Sequence, residues 1–115
     1  MNRDRLFFEH IVREVDFLLT QSKVLSFEEF SQDEILMRAF VRSLEIIGEA
    51  VKNISGDIKS KYNSIEWRKM AGLRDRLIHH YFGINWTIVW DVVQNKIPAL
   101  GNEIKNLMAK EYDLE

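Results

Sequence analysis

The segment Arg74-Asp75-Arg76-Leu77-Ile78-His79-His80-Tyr81 gathers guanidinium, carboxylate, imidazole and phenol groups within a few turns of one helix. Placing Arg74 at zero and advancing about 100° per residue puts Trp67, Met70, Ala71, Leu73, Leu77, Ile78 and Tyr81 on an apolar arc of roughly 160°. Arg74 falls near the middle of that arc. A guanidinium left dry there costs several kcal/mol, so a carboxylate, a carbonyl or an anion from outside must meet it. Asp75 and His79 stand at i, i+4, about 40° apart on one face, beside Arg68 and Gly72. A carboxylate so placed can hold one imidazole nitrogen and leave the other free to move a proton. Gly72 leaves room on that lane for a close neighbour. The set could be an acid/base site for a phosphate ester. It could equally be a polar dimer interface with Arg74 paired across it.

Other chemistries are poorer fits. The chain has no cysteine, which excludes disulfides, thiolate metal sites and a thiol nucleophile. Only His10, His79 and His80 could ligate through nitrogen. His79 and His80 are adjacent and diverge by about 100°, and the i, i+4 spacing of a helical chelate is absent. No metal and no cofactor are expected. A histidine near a helix C-terminus also has a plain reading, as a favourable contact with the helix dipole.

At 115 residues the chain is expected to form one domain over 1–115, with enough burial for a core. Sixteen basic against 18 acidic residues give a formal charge of −2, unlike a sequence-indifferent RNA coat. Yet residues 68–81 hold Arg68, Lys69, Arg74 and Arg76 against Asp75 alone. Such a local positive excess can steer a phosphate without a high overall pI. The longest uncharged stretch, Leu77 to Trp90, is too short and too polar for a bilayer, and the N-terminus lacks the apolar run of a signal peptide. No membrane association and a cytoplasmic location are expected.

The elements that must position these groups are all helical. Phe8, Val12, Val15 and Leu19 mark an amphipathic helix over about 3–21. Ser26-Phe-Glu-Glu29 has capping-box spacing, and Ser31-Gln-Asp-Glu34 repeats it, predicting a short turn and then a long helix over about 32–54. Leu36, Phe40, Leu44, Ile47, Val51 and Ile54 share a face of that helix, and Gly48 at its edge marks the close approach of another helix. Gly56 is the expected C-cap. The motif helix spans about 64–80 and ends before Gly83. Asn85 caps the next helix, which carries Trp86 and Trp90 as core residues at i, i+4. Pro98 calls for a break or kink, and Leu100, Ile104, Leu107 and Met108 stripe the last helix. No strand-like alternation appears, so the fold class is all-α.

Residues 74–81 fit an R-x4-H-x-Y motif, and the chain resembles the HEPN superfamily, in particular its HepT-type toxin branch paired with an MntA-type nucleotidyltransferase antitoxin. Flanking matches are Ile47-Gly48-Glu49-Ala50, Trp67-Arg68, Ala71-Gly72-Leu73, Tyr81-Phe82-Gly83, Val89-Trp90 and Asn95-Lys96-Ile97-Pro98. The resemblance covers about residues 30–110. Two positions depart from it: Glu66, where Pro often precedes the Trp, and Lys96, where Asp is common.

The resemblance implies a HEPN-type antiparallel bundle of four or five main helices plus short turns. It implies a metal-independent ribonuclease acting as a homodimer, with RNA, tRNA among the candidates, cut in a cleft shared by two motif helices. His79 would be the general base or acid, and Arg74 would neutralise charge on the phosphoryl oxygens. Asp75 would orient His79 or Arg74. Tyr81 resembles the tyrosine that the partner nucleotidyltransferase modifies with AMP. Arg68, Lys69, Arg76 and His80 are candidate phosphate contacts. The alternative is a non-catalytic nucleotide- or substrate-binding partner subunit of a minimal nucleotidyltransferase.

Overall fold

The computed structural model describes the backbone of residues 2–79 and 83–112 and the side chains of 3–77 and 83–112. The described elements are α1 (Asn2–Ser22), α2 (Phe27–Ser31), α3 (Glu34–Lys52), α4 (Gly56–Lys61), α5 (Trp67–His79), α6 (Trp86–Asn95) and α7 (Ile97–Tyr112). Among the described residues there is no strand, and the all-α architecture is the one expected.

Helix α3 lies between α1 and α5, and α7 packs on the other side of α1. Being covered from two directions shifts the buried face of α1. Phe8, Ile11, Val15 and Leu18 are fully buried, whereas Val12 and Leu19, expected on the central stripe, are half-buried flanks. In α3 the expected face holds: Phe40, Leu44, Ile47 and Val51 are fully buried. Leu100, Ile104, Leu107 and Met108 bury the stripe of α7.

Glycines set two helix contacts. A Cβ built on Gly48 would collide with Cβ of Arg74 and lie 3.1 Å from the Met70 carbonyl, so α3 and α5 touch backbone to backbone. A Cβ on Gly101 would come 2.7 Å from Val15 Cγ1, so this glycine makes room for the Val15 side chain of α1.

Caps define the joints. Ser26 and Glu29 form the expected capping box at α2. The cap of α3 is Asp33, accepting from Leu36 N at 3.0 Å, and not Ser31, whose hydroxyl donates to the Glu28 carbonyl. Helix α3 stops at Asn53, so Gly56 is not its C-cap. It is instead the first residue of α4, a short helix that the periodicity did not announce, capped by Ser55. Asn85 caps α6 through Thr87 N and Ile88 N, as expected. Pro98 falls in the first turn of α7, where its missing N–H has no intrahelical partner to lose, and the break sits at Lys96.

Two clusters fix the ends of α5 and α6. Phe30 stacks against Phe40 at 4.8 Å and Trp90 at 5.2 Å, with Trp86 at 6.2 Å, clamping α2 to α3 and α6. Before α5, Trp67 Nε1 donates to the Tyr62 carbonyl at 3.1 Å, and Tyr62 Oη donates to Glu111 of α7 at 2.6 Å. Lys61 also reaches Glu111, at 2.7 Å. These hydrogen bonds hold the Glu111 carboxyl below its usual range, Lys61 first and Tyr62 second, and raise the Tyr62 phenol. Asp4, buried in α1, accepts from Ser55 N at 3.0 Å and Ser55 Oγ at 2.7 Å, pinning the start of α4.

Candidate active site on α5

Helix α5 starts at Trp67 rather than at about residue 64, and Trp67, Met70, Leu73 and Leu77 form its buried stripe. Arg74 lies in that face, yet its side chain keeps 26% of its surface exposed. The guanidinium is met by carboxylates on two sides. Nε lies 3.1 Å from Glu49 Oε1 of α3, and Nη1 donates to Asp75 Oδ1 at 3.0 Å. Glu49 follows Gly48, so the close approach that spares room for Arg74 Cβ also delivers the carboxylate that meets its head. Asp75 Oδ1 also accepts from Lys52 Nζ at 3.4 Å. The Arg74 hydrogen bond, and then Lys52, hold the Asp75 carboxyl below its ordinary range.

Two expectations for Asp75 stood open, that it orients His79 or that it orients Arg74. The described contact is with Arg74. The backbone of His79 belongs to α5, while its side chain, and all of His80 and Tyr81, lie outside the described residues.

The expected cations do not form one cluster. Arg74 borders a cavity of about 260 Å³ lined also by Phe7 and His10 of α1 and by Arg42, Glu45 and Glu49 of α3. Arg68, Lys69 and Arg76 are exposed on another side of α5 and line a wider groove of about 1170 Å³. Lys69 is paired with Glu66 at 2.8 Å. Gly72 borders the same groove, and a Cβ built on it would meet nothing within 4 Å, so the room expected beside it exists.

Glu49 is the residue that spacing within α5 could not reveal, because it comes from another helix. Its one sequence signal is its place after the Gly48 of close approach. Among the described residues, no group of three or more His, Asp or Glu side chains could hold a metal ion. Nor is any described helix long and apolar enough to cross a membrane.

Residues 10–107 match the family model described as "Ribonuclease HepT-like". The chain belongs to this family. A relative from Caldanaerobacter subterraneus subsp. tengcongensis, named as a candidate RNase, is 47% identical over 96% of this chain and 99% of its own. A similarly named protein of Methanocaldococcus jannaschii is 44% identical over 96% of this chain and 89% of its own. A Thermococcus cleftensis protein named a probable ribonuclease HepT is 39% identical, covering 88% and 92% respectively. No solved structure matches. Family membership agrees with the HEPN resemblance and with the helical architecture, and residues 74–79 of the HepT-like chain lie on α5, which packs against α3.

Proposed function

We propose that this HepT-like chain is a metal-independent ribonuclease, the toxin of a toxin–antitoxin pair, working in the cytoplasm as a homodimer at a cleft shared by two α5 helices. The family match over residues 10–107 carries the reading. The double carboxylate hold on Arg74 supports it, because a guanidinium fixed by Glu49 and Asp75 loses little freedom when it meets a phosphate.

In the proposed reaction His79 takes the proton of a ribose 2′-hydroxyl. The 2′-oxygen bonds to the adjacent phosphorus, and the bond from phosphorus to the 5′-oxygen breaks. The departing oxygen receives a proton from a general acid, His79 of the second protomer or water. Arg74 stabilises the charge that builds on the non-bridging oxygens. Asp75 and Glu49 are positioning residues for Arg74, and Arg68, Lys69, Arg76 and His80 contact flanking phosphates. Neutralisation follows when an MntA-like nucleotidyltransferase transfers AMP from ATP to the Tyr81 oxygen with loss of pyrophosphate. A bulky anion beside Arg74 then competes with RNA.

Expression without the nucleotidyltransferase tests this reading. Growth arrest relieved by His79→Ala supports the toxin. No arrest at full expression removes it. Intact-mass measurement after incubation with the nucleotidyltransferase and ATP should show adenylyl additions that vanish in Tyr81→Phe.

A further inference from the structure

The wide groove on the other side of α5 from the Arg74 cavity carries more than the α5 cations. Its lining includes Lys52 from the end of α3, Lys59 from α4, Lys96 from the α6–α7 joint, and Arg68, Lys69 and Arg76 from α5. Glu66 is the lone carboxylate among its described lining residues, although the whole chain carries −2. The floor is apolar, made by edges of Ile65, Trp67, Met70, Leu73 and Val92. Three helices and a joint thus converge cations on one concavity. Position 79 lies about one turn beyond Arg76 on the same helix.

Resting on the ribonuclease reading, we propose that this groove binds an unpaired stretch of the RNA substrate, with phosphates held by Lys59, Lys96 and the α5 cations and bases laid on the apolar floor. Charge selects the occupant. A two-fold contact with a second copy would set the same cations against themselves, since an isologous interface repeats one patch. A duplex shows its phosphates outward and keeps its bases stacked inside, so it gains nothing from an apolar floor. A single strand offers both phosphate and base face to one concave site. Lys52 contributes less than its charge suggests, being shared with Asp75 at 3.4 Å.

The test measures binding apart from cleavage. The full chain and Lys59→Gln/Lys96→Gln are titrated with a labelled 2′-O-methyl oligoribonucleotide, which lacks the attacking hydroxyl, and with a blunt hairpin of equal length. Removing two phosphate contacts should lower the slope of log K against log salt by about 1.4 and weaken binding about 25-fold at roughly 0.1 M salt. The hairpin should bind more weakly than the single strand. An unchanged slope overturns the proposal, as does equal or better binding of the hairpin. Competition by poly-glutamate at RNA-like concentrations would reassign the groove to an acidic protein. A change in dimer mass by light scattering, with the RNA slope unaltered, would reassign it to self-association. If the slope falls as expected but wild type cuts no unmodified RNA, the groove stands and the nuclease reading fails.

Discussion

Gly48 offers the sharpest physical test of how Arg74 is positioned. Gly48→Ala adds one methyl group in mid-helix, where alanine is intrinsically favoured by about 0.5–1 kcal/mol. Here the new Cβ meets Arg74 Cβ, with Arg74 Cγ at 3.0 Å and the Met70 carbonyl at 3.1 Å. None of these is the free end of a flexible chain, so relief requires α3 and α5 to separate. Overpacking of this kind costs about 1–3 kcal/mol or more. The net effect is a loss of about 1–2 kcal/mol, or roughly 4–8 °C in Tm for a chain of this size. Gly72→Ala is the internal control, since its Cβ meets nothing within 4 Å. It should keep the whole propensity gain and raise Tm by roughly 2–4 °C. Differential scanning calorimetry of the two variants at equal protein concentration separates them. If Gly48→Ala is as stabilised as Gly72→Ala, the backbone contact between α3 and α5 is wrong, and with it the placement of Glu49 against Arg74.

Asp4→Ala strands the amide and hydroxyl of Ser55 beneath α1 and should cost roughly 1–3 kcal/mol by urea denaturation; a change below about 0.5 kcal/mol contradicts the buried hydrogen bonds. Asn85→Ala should cost about 1 kcal/mol through the lost cap of α6, with no loss if Thr87 and Ile88 amides are otherwise satisfied. The pH dependence follows from Glu111, whose carboxyl is held low by Lys61 and Tyr62. A depressed folded value stabilises above the unfolded carboxylate range and is lost as pH falls through the folded value. The urea midpoints of wild type and Glu111→Gln should therefore differ most near neutral pH and converge in acid, and a gap that widens in acid would reverse the assigned sign.

Much of this was legible from residue order because it depends on local rules. The amphipathic stripes of α3 and α7, the capping box at Ser26 and the cap at Asn85 are properties of a few neighbouring residues. Gly48 signalled a close helix, and the crowding between α3 and α5 agrees with it: a Cβ there would meet Arg74 Cβ. What escaped depends on contacts across the chain. Two-sided covering of α1 by α3 and α7 moved its buried centre to Ile11 and Leu18. Asp33 displaced Ser31 as a cap because its carboxylate reaches Leu36 N. Gly56 reads as a stop signal in isolation, but Ser55, tied to Asp4, turns it into a helix start. Glu49 could not be assigned to Arg74 without knowing that α3 and α5 pack together. Lys59 and Lys96 joined the α5 cations only through the fold.

The central claim is that Arg74 and His79 cut RNA without a metal ion. Its most direct test is the cleavage rate of purified wild type, Arg74→Ala and His79→Ala on total RNA in EDTA, with folding of each variant checked by its melting curve. Wild type should cleave, and each variant should fall by about 100-fold or more. Equal rates in all three, or cleavage that appears only when a divalent metal is restored, would contradict it.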